Sequence, residues 1–437
     1  MRSQRLWKCI FAILLVFPWA LPAAEQPAAP TKPSGPRNVI LMIGDGMGLA
    51  QLSAAKSQKG QLALEGMRHA GFTLTHSLQN FVTDSSAAAT ALSTGYLTLN
   101  GQVGLTADGT PVKTVLEYAE EEGKWTGLVA TSRITHATPA SMVSHVKSRA
   151  DEDEIAIQIA RSNVEVLFAG GWDKFLPRRT QHVSLPVQPG WAMLACAQPG
   201  MSLTAAAADP LLLGRDGKPF GTRVDGRDLI AEMLKGGYRF IRTAEELSLV
   251  SDGPPTKVLG LFHSGQMPKA NEGRTPSLSA MTLSALRILS QSPKGFFLMI
   301  EGSQIDWGGH ANDFGYTVAE TADFDTAVGD VLNFLEEEKI GGETLVVVTA
   351  DHETGGLTLN ANAVLPLGLE PKWSTTGHTG SPVPVFSEGP GADLFSGIQS
   401  HEAIGRNLVR LVSSKEVQFA YPRDKSLPAV PAPAASR

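Results

Sequence analysis

Short apolar runs recur along the chain, each bounded by turn-forming residues: NVILMI (38–43), TGLVAT (126–131), VEVLFAG (164–170), KVLGLF (257–262), GFFLMIEG (295–302), TLVVVTA (344–350) and VPVFSE (383–388). Most are apolar at consecutive rather than alternate positions, a pattern that a strand carries when both of its faces are covered. Between the runs the apolar spacing lengthens to that of a helix, in PVKTVLEYAEEEG (111–123), EDEIAIQIARS (152–162), SLSAMTLSALRILSQ (277–291), TVAETADFDTAVGDVLNFLEEE (317–338) and HEAIGRNLVRLV (401–412). Strands alternating with helices predict an α/β fold: a mainly parallel central sheet sandwiched between helical layers. In such sheets ligands gather beyond the carboxyl ends of the strands. The residues that follow each apolar run are therefore the ones to inspect.

The two ends of the chain break this pattern. Residues 1–24 open with Arg2, Arg5 and Lys8, continue through an apolar stretch interrupted by Pro18, and finish on Ala23 and Ala24. That is the layout of a secretory signal peptide, and it is too short for a membrane span. Residues 25–36 read as a disordered linker and 423–437 as a Pro/Ala-rich disordered tail, leaving one catalytic body over 37–422. Within that body, 171–225 bears the fewest motifs and reads as a peripheral insertion. Export to the periplasm or medium is expected, with no membrane anchor once the leader is cut. Removing the three leader cations takes the net charge from −6 to −9, which disfavours nucleic-acid binding. Cys196 is then the one cysteine left, so no intramolecular disulfide is available.

Acids and histidines cluster after the apolar runs. Asp45 follows NVILMI within Gly44-Asp45-Gly46-Met47-Gly48, where the glycines also resemble a nucleotide fingerprint with Glu65 at about the spacing of a ribose-binding acid. Asp45 would repel a pyrophosphate and Glu65 does not end a convincing strand, so a cation is the better fit. Glu301, Asp306 and His310 lie within ten residues at the end of GFFLMI, a set too costly to bury without a neutralising charge. Asp351 and His352 follow TLVVVTA, and His378 sits in the small-residue loop TTGHTG, adding the oxygen and imidazole donors that zinc accepts.

The remaining candidates are ambiguous by themselves. FVTDSSAAATALSTG (81–95) runs a short loop into an alanine-rich helix, placing Ser85 where backbone N–H groups favour an anion. The same letters describe an ordinary helix cap. His136 in HATPA could be a satisfied polar residue, and Arg149, followed by DEDE, could merely pair with acids.

Taken together, GDGMG (44–48), TDSSAAATALSTG (83–95), HATPA (136–140), SR (148–149), EGSQIDWGGHAND (301–313), TADHETGG (349–356) and TTGHTG (375–380) resemble the alkaline phosphatase family in order and context. The resemblance implies an exported phosphomonoesterase that releases phosphate from phosphate monoesters through a phosphoserine at alkaline pH. It makes Ser85 the nucleophile and Arg149 the clamp on the phosphoryl oxygens. It gives Asp306, His310 and His378 to one zinc and Asp45, Asp351 and His352 to another. Asp45, Thr138 and Glu301 would hold a third ion, usually magnesium, with His136, Trp307 and Asp84 beside the phosphate. His136 and Trp307 replace the aspartate and lysine of the best-known bacterial members, which leaves the third ion's identity open, and some marine bacterial members resemble this chain in carrying both. The family also implies a homodimer. Two other outcomes stay in view: a phosphodiesterase or sulfatase-like relative with the same two-metal sheet, and a binding protein without turnover.

Overall fold

A computed structural model describes residues 35–178, 221–251, 253, 257–361 and 369–419. The signal peptide, the linker up to residue 34, the tail from 420 and most of the 171–225 insertion lie outside the described residues. Its strands are β1 (Asn38–Gly44), β2 (His69–Leu74), β3 (Trp125–Arg133), β4 (Val166–Gly170), β5 (Arg239–Ile241), β6 (Val258–Leu261), β7 (Phe296–Gly302), β8 (Thr344–Thr349), β9 (Glu353–Thr354), β10 (Thr358–Ala361), β11 (Leu369–Lys372), β12 (His378–Thr379), β13 (Val383–Glu388) and β14 (Gly397–Ser400). Ten of these form one sheet in the order β14-β2-β13-β8-β1-β7-β3-β4-β6-β5.

The consecutive apolar runs occupy the middle of that sheet because alternate residues feed two separate cores. Val39, Leu41 and Ile43 of β1 pack in one core with Phe297 and Met299 of β7 and Leu345 and Val347 of β8. Ile40 and Met42 face the other, with Leu298, Ile300, Val346 and Val348. Helices Val115–Glu121, Glu152–Arg161 and His401–Val412 cover the first face. Helices Leu49–Lys59, Leu278–Leu289 and Phe314–Glu337 cover the second. Each layer excludes water from one side of the sheet, which is why neither face needs polar residues.

The sheet is parallel from β8 across to β5. VPVFSE departs from that direction: β13 runs antiparallel to both β8 and β2. β2 and β14 extend the sheet beyond it, and their residues are partly exposed, so they lack the uninterrupted apolar signature of the central strands. Two small antiparallel pairs, β9 with β12 and β10 with β11, stand apart from the main sheet. Among the described residues, no helix is long and apolar enough to cross a membrane.

Candidate active site

Four neighbouring strands deliver the candidate residues to one end of the sheet. β1 ends at Gly44 with Asp45 next in the chain, β7 carries Glu301 in its last turn of pleat, and β8 stops just short of Asp351 and His352. β3 leads into the short helix Ala137–Ala140, which holds Thr138 and follows His136. The ends are stitched to one another: the Asp45 N–H donates to the Gly302 carbonyl at 3.2 Å and the Gly46 N–H to Asp351 Oδ1 at 3.1 Å. Gly46 has φ +79°, and a Cβ there would fall 2.6 Å from Asp306 Cα, so a side chain would push the turn that carries Asp45 away from the helix Gln304–His310 that carries Asp306. His378, far away in sequence, arrives through the β9–β12 pair, in which it lies opposite Thr354.

Three imidazoles point the same nitrogen inward. His310 Nδ1 donates to the Thr376 carbonyl at 2.5 Å and His378 Nδ1 to the Thr83 carbonyl at 2.9 Å. A carbonyl can only accept, so both protons of the neutral rings sit on Nδ1 and both Nε2 lone pairs face the site. Those two Nε2 atoms are 3.1 Å apart, and each lies 3.2–3.4 Å from Asp306 Oδ1. His352 Nδ1 meets the Thr354 hydroxyl at 3.2 Å, a hydroxyl that itself donates to Asp306 Oδ1 and so accepts from the ring. His352 Nε2 then faces Asp351 Oδ2 at 3.1 Å and Asp45 Oδ1 at 3.5 Å, and its ring stacks on His378 at 3.5 Å between centroids. Lone pairs converging on a carboxylate repel unless something positive lies among them. A proton is the smallest such occupant, and the hydrogen bond with Asp306 accordingly lifts His310 to about 9.

The acids show the same want of a cation. Asp45, Glu301, Asp351 and His352 are wholly buried. Burial, followed by the charges of Asp351, Asp306 and Glu301, pushes the Asp45 carboxyl well above its usual range. Burial also raises Glu301 to about 7, although the Ser303 and Ser132 hydroxyls donate to its Oε2 at 2.6 and 3.2 Å. Burial acts on Asp306 in the same direction, but once His310 and His378 carry a proton on Nε2 as well, their hydrogen bonds outweigh it and hold that carboxyl low. Among the described residues both Asp45 oxygens, Asp351 Oδ2, Glu301 Oε1, Thr138 Oγ1 and His136 Nδ1 are buried without a hydrogen-bond partner. Three donor groups result: Asp306 with His352 and His378, Asp45 with Asp351 and His352, and Asp45 with His136 and Glu301, the donor atoms within 4.8 Å of one another in each. His310 joins the first through its contacts with Asp306 and His378.

Ser85 opens the helix Ser85–Thr94 and is 2% exposed. Asp84 is the cap, accepting from the Ala87 N–H at 3.0 Å, so the cap and the candidate nucleophile are adjacent residues rather than rival readings of one. Ser85 Oγ lies 3.2 Å from His352 Nε2. Asp84 also accepts from the Ser86 hydroxyl at 2.7 Å, the Gly101 N–H at 3.1 Å and Arg149 at 3.2 Å. The other terminal nitrogen of Arg149 donates to His136 Nε2 at 3.2 Å. Arg149 is thus turned toward Ser85's helix and not toward the DEDE segment that follows it in sequence. Burial and the neighbouring guanidinium push His136 down to about 3, keeping it a neutral acceptor, and Trp307 meets its ring edge-on at 5.8 Å.

Residues 36–372 match the family described as alkaline phosphatase. The chain is 33% identical to alkaline phosphatase 4 of Bacillus subtilis, covering 83% of this chain and 86% of that protein. The solved alkaline phosphatase of the Antarctic bacterium TAB5 is similar in structure, with a TM-score of 0.71 and 34% identity over 87% of this chain and 98% of that one. The chain belongs to the alkaline phosphatase family. It is accordingly an enzyme, and the metal dependence of alkaline phosphatases agrees with the donor groups above. A histidine-to-glutamate variant of the TAB5 enzyme is described with Mg bound in its M3 site.

Some residues that shape this alkaline phosphatase site carry no signal of their own in the sequence. Thr354 bridges Asp306 and His352 with one hydroxyl. Glu353, also buried, accepts from Gln51, Thr379 and the Gly356 and Leu357 N–H groups, tying helix 49–59 to the β9–β12 pair. Buried His401 donates from Nε2 to the Asp351 carbonyl at 2.7 Å. Thr354 and Glu353 lie inside TADHETGG and could have been suspected from that position. Nothing in HEAIGRNLVRLV singles out His401.

Proposed function

We propose that this enzyme is an exported phosphomonoesterase that releases inorganic phosphate from phosphate monoesters at alkaline pH through a phosphoserine on Ser85. The observation that carries this reading is the convergence of Nε2 lone pairs and unpartnered carboxylate oxygens around one serine hydroxyl at a helix start. The donor set fits cations. Asp306, His310 and His378 would hold one zinc and Asp45, Asp351 and His352 the other, nitrogen and oxygen donors of the kind zinc prefers. Asp45, Thr138 and Glu301 offer hard oxygens suited to magnesium. His136 spends its Nε2 lone pair on Arg149, so its Nδ1 carries a proton and faces that third group as a donor.

When bound, such cations neutralise charge on the reacting phosphate and lower the pKa of a hydroxyl or water beside them. The chain's own groups do the rest. The helix 85–94 start seats the phosphate beside Ser85. Arg149, oriented by Asp84 and His136, clamps two of its oxygens with a planar fork. Ser85 Oγ, its proton given up to solvent hydroxide, forms a bond to phosphorus while the bond from phosphorus to the alcohol oxygen breaks; the alcohol oxygen takes a proton from water and leaves. A water then cleaves the phosphoserine, restoring the hydroxyl and releasing phosphate. Deprotonated serine and water both gain with rising pH, hence the alkaline optimum. A serine rather than a threonine or a modified residue at position 85, with Arg149 beside it, favours monoesters over diesters. We further expect a homodimer, cleavage of the leader near residue 24, and no binding to nucleic acid.

The test is phosphate release from a nitrophenyl monoester, the corresponding diester and a sulfate ester at alkaline pH, with and without a chelator. Chelator-sensitive turnover that is fastest on the monoester is expected. A faster diester or sulfate reaction would overturn the choice, and no turnover by zinc-loaded protein would leave a binding protein.

A further inference from the structure

The site has a deep end and a shallow end. Asp45, Asp351, His352 and Ser85 are sealed from solvent, whereas the side chains of His378 and His310 are 14% and 39% exposed. On the monoesterase reading above, a phosphate seated against Ser85 and Arg149 must point its ester oxygen away from the serine, because displacement in line places the entering and leaving groups on opposite sides. The way out is past His310 and His378.

At that exit stands an aromatic ring that the reaction has not used. Phe81 is 79% exposed, and Val82 beside it is half-exposed. Single apolar residues on a surface need no explanation; this one is distinguished by how it is held. Its ring rests on Gly380, two residues beyond His378, so closely that a Cβ there would fall 2.3 Å from ring atom Cε1. Two residues after Phe81, the Thr83 carbonyl accepts from His378 Nδ1 at 2.9 Å, and the Val82 carbonyl accepts from Asn100 Nδ2 at 3.2 Å. The loop that ends at Ser85 is therefore fixed to the loop that carries His378, with the phenyl group outermost on the join. Gly380 gives the ring its seat, since any side chain at that position would displace it.

We propose that Phe81 is the surface against which the alcohol portion of the substrate packs, and that it biases the enzyme toward monoesters of flat, apolar alcohols such as phenols over those of small polyols. An aromatic pair of this kind adds attraction beyond simple burial. A polyol, hydrated on all sides, gains nothing from the ring.

The experiment compares phenyl phosphate with glycerol phosphate by phosphate release, in the zinc-loaded full-length enzyme and in its Phe81→Ala, Phe81→Leu and Phe81→Trp variants. Inhibition by inorganic phosphate, which has no alcohol portion, is the internal reference. Phe81→Ala is expected to lower the ratio of kcat/KM for phenyl phosphate to that for glycerol phosphate about tenfold, through KM for the phenyl ester, with the phosphate inhibition constant within about twofold. Phe81→Trp should restore the ratio and Phe81→Leu should fall between. An unchanged ratio, or an equal loss on both esters, would overturn the proposal, the latter by showing that the ring only positions the His378 loop. Absence of turnover on either ester in the unaltered enzyme would instead refute the monoesterase reading itself.

Discussion

Replacing Thr354 by valine exchanges one hydroxyl for a methyl at the contact between Asp306 and His352. The side chain is fully buried and packs against Gly46 and Gly309. Two interactions vanish: the donor to Asp306 Oδ1 and the acceptor for His352 Nδ1. A hydrogen bond to a charged group contributes about 1.5–3 kcal/mol, and a buried N–H left without an acceptor costs about 1–3 kcal/mol. The two losses overlap, because each ring and carboxylate is also held by other partners, and a combined penalty of about 3 kcal/mol corresponds to roughly a hundredfold. That is at the upper end of what partners of metal-binding residues usually contribute. Zinc affinity should therefore drop about 30- to 100-fold in competition with a chelator, and kcat/KM on the nitrophenyl monoester should fall even at saturating zinc. A circular dichroism melt of the loaded variant separates this from misfolding. If a folded Thr354→Val protein keeps both quantities within threefold, the bridging hydroxyl does not orient the donors and the reasoning fails.

Arg149→Lys keeps the charge but loses the planar fork, so kcat/KM should fall about 10- to 100-fold and inhibition by phosphate should weaken in step; values within twofold would remove Arg149 from the phosphate. Ser85→Ala should abolish nearly all turnover while retaining its zinc by metal analysis, and if Ser86→Ala does so instead, the nucleophile is the neighbouring residue. For the chelated protein the pH dependence follows from burial of Glu301 and from the hydrogen bond between Asp306 and His310. Glu301, raised to about 7, and His310, raised to about 9, each contribute stability that is present below their unfolded pKa and lost as pH climbs through the folded one. His136 and His401, pushed down to about 3 and 4, act oppositely, but only below about 6.5. Asp306 and Asp351, held low against burial by their histidine neighbours, matter only in acid. The melting temperature of chelated enzyme should thus decline from pH 7 to 9.5 while that of loaded enzyme holds steady; a rise in the chelated enzyme over that interval would contradict the electrostatic account.

The central strands were legible in the sequence because burial on both faces leaves an unbroken apolar run, and β1, β7, β8 and β13 fall within a residue or so of NVILMI, GFFLMIEG, TLVVVTA and VPVFSE. The acids and histidines after those runs were legible for a related reason: a charge next to a buried strand demands a purpose. The edge strand β14 and its neighbour β2 were not, since exposed residues such as Phe72 and Ile398 follow no run. The antiparallel direction of β13 depends on where the chain returns, which local pattern does not encode. Helix 317–338 begins earlier than its apolar spacing indicated, at Phe314, because Asp313 caps it by accepting from the Tyr316 N–H. Within the site, the spacing of letters placed donors at strand ends but could not say which nitrogen of each ring would face inward. That is decided by carbonyls of Thr83 and Thr376, residues with no chemistry of their own. Thr354, Glu353 and His401 act through hydroxyls, carboxylates and carbonyls brought from distant loops, and only the assembled fold shows what they hold.

The cage draws on Asp45 near the beginning of the folded body and on His378 near its end, the latter brought in by the pairing of β9 with β12 and by the Thr83 carbonyl. A growing polypeptide that has not yet emitted its last third possesses Asp45, His136 and Thr138 but none of the other donors, and its serine is idle. Hydrolytic power then switches on in a single act of completion rather than by degrees. A simple colour assay would double as a check that the whole molecule is intact.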